Sequence, residues 1–380
     1  MKIVIAPDSF KESLSAKQVC ECIEAGFSEV FPHADYIHLP LADGGEGTVD
    51  VLLQGLDGEV RQSQVTGPLG ELVDAKWALL DKGQTALIEF AAASGLDLIS
   101  PEQRNPAITT SYGTGELINE ALNLGVTKIL LGLGGSATND AGAGIVQAMG
   151  AKLLDSQGNE LPFGGAVLAD IAQIDLSNIH PRSKEVEFIV ACDVANPLIG
   201  EQGASHVFGP QKGASPELVK SLDNAIAHFA AVSAKQTSVN HAMSSGFGAA
   251  GGTPMGLSLI FEIQIKQGIE MVLDALDADT VLQGADLVIT GEGQMDNQTL
   301  QGKTPFGIAK RAQSKGIPTI GIAGSLGQEI DELYGTIIST FATVRSPQPL
   351  QQVLAEANSN LTRTARNIAA TLKLGSKISD

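Results

Sequence analysis

The chain has 380 residues, which at roughly 100 to 200 residues per domain implies two domains. Hydrophobic residues make up 43% and charged residues 18%, a balance that excludes disorder because enough apolar surface is present to offset backbone ordering. With 24 Lys plus Arg against 43 Asp plus Glu the net charge is −19, and no basic run interrupts it, so nucleic acid and anionic membrane are not expected partners.

The N-terminus passes from Lys2 through a short apolar run to Pro7 and Asp8, far short of a secretory leader. No run approaches the ~18 apolar residues of a membrane span, and the expected location is the cytoplasm. Cys20 and Cys22 stand two apart in a helical pattern and face different ways. With Cys192 they read as small buried hydrophobes rather than as metal ligands.

Residues 3–6 read as a buried parallel strand, and Ser15 with Gln18 forms a capping box ahead of Val19, Cys22, Ile23 and Phe27 at helical spacing. Phe31-Pro32 ends that helix; a strand over 36–39 and a helix over 48–53 follow. Residues 59–89 alternate like antiparallel strands around Gly67-Pro68-Leu69-Gly70. A helix over 115–124, strands over 127–131 and 187–191, and a helix opened by Ser215-Pro216 come next. The parallel style returns with a strand over 286–290, a helix with Thr304 as cap and Pro305 as its first residue, strands over 318–323 and 336–340, and a last helix from about Leu350 with one apolar stripe. The expected fold is α/β, with a parallel-sheet domain over 1–60 and 275–380 interrupted by an inserted α+β domain over 61–274.

Ligands of open parallel sheets bind beyond the C-terminal strand ends. The loops expected there are unusually polar: Asp8-Ser9-Phe10-Lys11, then Asp43-Gly44-Gly45-Glu46, then Gly291-Glu292-Gly293-Gln294-Met295-Asp296, then Gly324-Ser325-Leu326-Gly327. Carboxylates with an ammonium and exposed glycine backbone suit Mg²⁺-assisted handling of a phosphorylated ligand. Any one such loop is more often an ordinary Asp and Gly turn; three together point to a site.

The middle of the chain adds Gly134-Gly135-Ser136-Ala137-Thr138-Asn139-Asp140, which reads as a turn opening a helix whose N-terminus would attract an anion. Gly132, Gly134 and Ala137 also match G-x-G-x-x-A, with Asp155 at about the ribose-binding distance. A dinucleotide-dependent oxidoreductase is therefore the rival reading, although it leaves the carboxylate loops unexplained. Gln211-Lys212-Gly213 is another glycine-backed loop, and Asp193 follows the 187–191 strand as a base, a metal ligand or a turn cap. Gly302-Lys303-Thr304 is not a P-loop, because Asn297 stands where its first glycine is required.

Taken in order, these motifs, with Tyr112-Gly113-Thr114-Gly115-Glu116-Leu117, Cys192-Asp193-Val194-Ala195-Asn196-Pro197 and Gly248-Ala249-Ala250-Gly251-Gly252, resemble the glycerate kinase family of the bacterial type over nearly the whole chain. The resemblance implies a flavodoxin-like domain carrying an inserted domain, and ATP-dependent phosphorylation of D-glycerate, to 2-phosphoglycerate in preference to the 3-phosphate. A glycerate 3-kinase, the oxidoreductase and a non-catalytic sugar-acid-binding regulator stay as alternatives, and a homo-oligomer stays open. Glu12 stands where the family often has glycine, and Gln294 precedes Asp296 where an arginine is common.

Phosphoryl transfer needs positioning, charge neutralisation and a proton acceptor. On these requirements Asp8, Ser9 and Lys11 are expected at the glycerate, Lys11 also acting in catalysis, with Asp193 or Asp296 as the proton acceptor. Asp43, Glu46 and Glu292 are expected as Mg²⁺ ligands, direct or through water. Gly134, Gly135, Ser136, Thr138, Asn139 and Lys212 are expected at the phosphates of ATP.

Overall fold

The computed structural model describes residues 1–44, 48–328 and 330–378. In chain order the strands are β1 (Lys2–Ile5), β2 (Asp35–His38), β3 (Gly58–Thr66), β4 (Leu72–Leu80), β5 (Thr85–Glu89), β6 (Lys128–Gly132), β7 (Lys152–Leu154), β8 (Gln173–Asp175), β9 (Glu187–Ala191), β10 (Ile263–Lys266), β11 (Leu287–Met295), β12 (Thr319–Leu326) and β13 (Ser339–Ala342). The chain forms two compact units, one from Met1–Gly55 with Gln267–Asp380 and the other from Leu56–Lys266.

The sheet of the first unit runs β13-β12-β11-β1-β2, and every neighbouring pair is parallel. Counted within the unit this is the 2-1-3-4-5 order of flavodoxin-like sheets, and the winding reverses between β1 and β11. Ile3, Val4 and Ile5 are fully buried, as a strand covered on both faces requires. Over one face, the helix Ala16–Ser28 packs on the helix Ala357–Gly375, with Val19, Ile23 and Phe27 sharing a core with Leu361, Ala365 and Ile368. The capping box forms as read: the Ser15 hydroxyl accepts from the Gln18 N–H while the Gln18 side chain accepts from the Ser15 N–H. The last apolar stripe is divided between Leu350–Ala355 and Ala357–Gly375 instead of lying on one helix.

Two strands run farther than the sequence pattern suggests. The segments around Glu292 and Ser325, read as loops, continue the parallel ladder through Gly291↔Ile322, Glu292↔Ala323 and Gln294↔Ser325. Glycine permits this, since a Cβ at Gly291 would strike the Ile322 carbonyl.

The second unit is built on a sheet of order β10-β9-β6-β5-β4-β3, parallel from β10 to β5 and antiparallel from there to the edge. The β3–β4 hairpin turns through Gly70 at φ 92°, a left-handed conformation that suits glycine. Trp77, Phe90, Phe188 and Phe229 are fully buried in its core. All three cysteines are buried and free. Among the described residues no helix is long and apolar enough to cross a membrane.

Gly26 lies where the first and last helices of the first unit meet, and a Cβ there would collide with the Thr362 carbonyl and the Arg366 N–H. Helix propensity alone favours alanine by about 1 kcal/mol. Overpacking against a backbone costs about 1 to 3 kcal/mol and should prevail, so Gly26→Ala is expected to lower the urea midpoint of unfolding. A raised midpoint would show that the two helices are not in such close contact.

Candidate functional site

In the first unit the switch in strand order places two carboxylates side by side. Asp8 leaves the end of β1 with its N–H bonded to the Gly291 carbonyl at 2.8 Å, and Glu292 follows in β11. Asp8 Oδ1 accepts from the Ser9 N–H at 2.6 Å and the Ser9 hydroxyl at 3.2 Å, while Oδ2 accepts from the Thr304 hydroxyl at 2.7 Å. Burial raises its carboxyl above the ordinary value, with Asp43 adding in the same direction and these hydrogen bonds opposing.

Thr304 was expected to cap its helix; Lys303 takes that place, and Thr304, the first helical residue, turns its hydroxyl to Asp8. Nothing in sequence spacing signals that contact, because the partners lie 296 positions apart.

Glu292 is 8% exposed. Its Oε1 accepts from the Thr299 hydroxyl at 2.6 Å, and its Oε2 has the Lys303 ammonium 3.8 Å away. Burial pushes the carboxyl up to about 7, with Thr299 and Lys303 pulling down and Asp8 and Asp296 pushing up. It is thus poised near neutrality, with one oxygen held by a hydroxyl and the other facing an ammonium beyond hydrogen-bond length.

Asp296 has a different occupation. Its Oδ1 accepts from the Gln298 N–H at 2.8 Å, its Oδ2 accepts from the Gln294 amide at 3.0 Å, and its own N–H donates to the Thr299 hydroxyl at 3.1 Å. It caps the turn Asn297–Gln301, and Gln294 supplies a neutral donor where an arginine would have brought charge.

Ser9 and Lys11 line an open groove of about 520 Å³ with Phe10, Glu12, Ser13 and Asp50. Lys11 is exposed there. Glu12 adopts φ 63°, a left-handed conformation costing a non-glycine residue roughly 1 to 2 kcal/mol.

Of the expected metal ligands, Glu46 lies outside the described residues, and Glu292 is engaged as above. Among the described residues no group of three or more His, Cys, Asp or Glu side chains is placed to hold a metal ion. The described carboxylates therefore do not by themselves form a closed cage for Mg²⁺.

In the second unit the turn after β6 is longer than the helix-opening turn read from sequence. The helix begins only at Ala143 and has six residues, so its N-terminus is not what residues 134–140 present. Gly134 and Gly135 are exposed, and Gly135 has φ 70°. Among the described residues the N–H groups of Gly134, Gly135 and Ser136 donate to no protein acceptor. Consecutive free amides around a left-handed residue form an anion-binding concavity.

Thr138 and Asn139 are fully buried, Asn139 donating to the Ser205 hydroxyl at 2.9 Å. Thr138 Oγ1 and Asn139 Oδ1 are buried and have no hydrogen-bond partner among the described residues. Lys212 is inside as well, bonded to Ser136 and Thr138. Asp193 is exposed and follows β9, whose last residue Ala191 pairs with Gly132 at the end of β6.

The oxidoreductase reading loses its basis here. Residues 132–137 do not open the helix, and Asp155 is tied into its own turn by the N–H groups of Gln157 and Asn159 at 2.8 and 2.9 Å.

The glycerate kinase family profile matches residues 3–373, and the chain belongs to that family. It is 50% identical to the glycerate 2-kinase of Escherichia coli K12 over 376 residues, covering 99% of both chains. It is also 50% identical to the glycerate kinase of Bacillus subtilis 168 over 375 residues, covering 98% of both. A solved structure of a candidate glycerate kinase 2 from Salmonella typhimurium LT2 superposes with a TM-score of 0.91 at 49% identity, covering all of both chains.

Because the folded chain holds the Glu292 proton more tightly than the unfolded chain, that contribution to stability is complete below the ordinary value of 4.5 and is lost as pH rises through about 7. Glu292→Gln keeps the shape without the charge. It should be more stable than the parent at pH 8 by on the order of 3 kcal/mol, with most of the difference gone at pH 5. Urea unfolding at the two pH values measures this, and a difference independent of pH would contradict the assigned burial.

Proposed function

We propose that this protein transfers the γ-phosphoryl group of ATP to the 2-hydroxyl of D-glycerate, giving 2-phosphoglycerate and ADP. Family membership over the whole chain supports the reaction. The observation that carries the chemistry is the buried, partly unsatisfied Glu292 beside Asp8 at the switch point of the parallel sheet.

The exposed Lys11 ammonium and the Ser9 hydroxyl receive the glycerate carboxylate, an anion that an acidic chain must hold with few local donors. Asp8 is fixed by Thr304 and orients Ser9. The substrate hydroxyl attacks the γ-phosphorus, the new O–P bond forms, and the bond to the bridging oxygen of ADP breaks. Glu292 accepts the hydroxyl proton, since a base is most effective when its pKa lies near the working pH. That assignment replaces Asp296, one of whose oxygens caps the turn after β11 while the other accepts from the Gln294 amide, and leaves Asp193 without this role.

The free amides of Gly134, Gly135 and Ser136 hold the phosphates of ATP. Mg²⁺ commonly takes one or two carboxylates together with substrate phosphates, and Asp43, whose charge is felt by Asp8, is a carboxylate that would hold it, where it would neutralise phosphate charge.

Phosphorus NMR of the reaction with ATP, Mg²⁺ and D-glycerate should show 2-phosphoglycerate, and Glu292→Gln should lower kcat by about two to four orders of magnitude. Formation of the 3-phosphate alone would overturn the regiochemistry. Full activity in the variant would remove Glu292 as the acceptor, and no turnover at all would overturn the reaction.

A further inference from the structure

Lys212 ends the short turn Pro210–Lys212 and is 1% exposed, an unusual place for an ammonium. Its Nζ donates to the Ser136 hydroxyl at 2.9 Å and to the Thr138 carbonyl at 2.7 Å. Among the described residues no carboxylate lies within ion-pair distance of it. Asp140 is the nearby anion, and its oxygens are taken by the Ser111 N–H and hydroxyl, both at 2.8 Å, and by the N–H groups of Gly142 and Gly144 at 3.2 Å.

Two hydrogen bonds alone would not call for a charge, because a neutral amide could supply them without the penalty of desolvating an ammonium. The charge is placed one hydrogen bond away from Ser136, whose N–H is one of the free amides of residues 134–136. Ser136 connects the two: its oxygen accepts from Lys212, so its own proton is free to donate outward, and at 9% exposure the residue borders solvent.

We propose that Lys212 is a positioning residue for the nucleotide, fixing Ser136 and Thr138 and lending positive charge to the rim of Gly134, Gly135 and Ser136 where the phosphates of ATP bind, without touching them. This rests on the reading of that turn as the phosphate site. Burial alone pulls the Lys212 ammonium down to about 7, with Asp140 opposing, so an anion arriving at the rim recovers part of the desolvation cost by favouring the charged form. The side chain sequence reasoning placed on the phosphates thus acts from one layer below them.

Steady-state kinetics on the full chain test this, with thermal melting to verify folding. Lys212→Met should raise the KM for ATP about tenfold or more, the scale of a lost charge-assisted hydrogen bond, while the KM for glycerate stays within about twofold. Ser136→Ala should act in the same direction, and the double variant should be no worse than Lys212→Met, because the two residues act as one unit. A purely structural lysine would instead lower melting temperature and kcat and disturb both substrates alike, and that result overturns the proposal.

Should Lys212→Met fail to fold, Ser136→Ala decides, an unchanged KM for ATP counting against the proposal. Gly134→Asp separates the proposal from its parent reading. A side chain there meets nothing within 4 Å, so the substitution adds only bulk and negative charge at the rim. If Gly134→Asp weakens ATP and Lys212→Met does not, the Lys212 role falls and the phosphate site stands. If neither weakens ATP, both fall.

Discussion

Everything at the first unit's site depends on the pairing of β1 with β11. The register Ile3↔Leu287, Val4↔Val288 and Ile5↔Ile289 joins the two ends of the chain. It is extended beyond the strand by Ala6 N–H to the Ile289 carbonyl at 2.7 Å and by the Thr290 hydroxyl to the Ala6 carbonyl at 2.8 Å, across 284 positions. Closing a loop of that length costs only slightly more than closing a shorter one, because the entropy grows with its logarithm. The pairing then leaves Asp8 and Glu292 no choice but to emerge together, at the one place in a 2-1-3-4-5 sheet where the crossovers diverge and open a crevice.

Two like charges side by side in a buried setting are unfavourable unless hydroxyls or cations answer them. Here the answer is unequal. Asp8 is satisfied on both oxygens, through Ser9 and Thr304, whereas Glu292 has Thr299 on one oxygen and only a distant Lys303 on the other. The first carboxylate is therefore a fixed frame and the second a group with unused capacity. The second unit repeats the device with opposite sign, since Lys212 is buried against neutral acceptors and, among the described residues, no contacting carboxylate. Buried ionisable groups held out of balance are characteristic of functional sites, because the imbalance is what a substrate can relieve.

Much of the scaffold was legible in the sequence because it is written in local patterns. The capping box at Ser15, the continuous apolar run of β1, and the alternation on either side of Gly67-Pro68-Leu69-Gly70 each follow from residues within a few positions of one another. The alternation of helices with buried strands gave the α/β class, and the strand order came only with the flavodoxin-like fold that the family resemblance implies. The polar loops also marked the correct sheet edge for Asp8 and Glu292. Sequence could not reveal which atoms remain unpaired. Asp296 and Glu292 look alike four positions apart, and only the hydrogen bonds separate a turn cap from a buried carboxylate with a single hydroxyl donor. Thr138, Asn139 and Lys212 read as loop polar residues, yet the turn folds them inward and leaves only glycine and the Ser136 edge outside. Gly291 suggested a loop, while its lack of a side chain serves to let two strands approach.

The central claim is that Glu292 is a buried carboxylate held near neutrality for the substrate hydroxyl. Carbon-13 NMR titration of glutamate carboxyls, with Glu292→Gln to assign the signal, measures that directly. The expected midpoint for Glu292 is about 7 in the free protein, displaced when D-glycerate is added. A midpoint at the ordinary value of 4.5, indifferent to glycerate, would contradict both the burial and the role built on it.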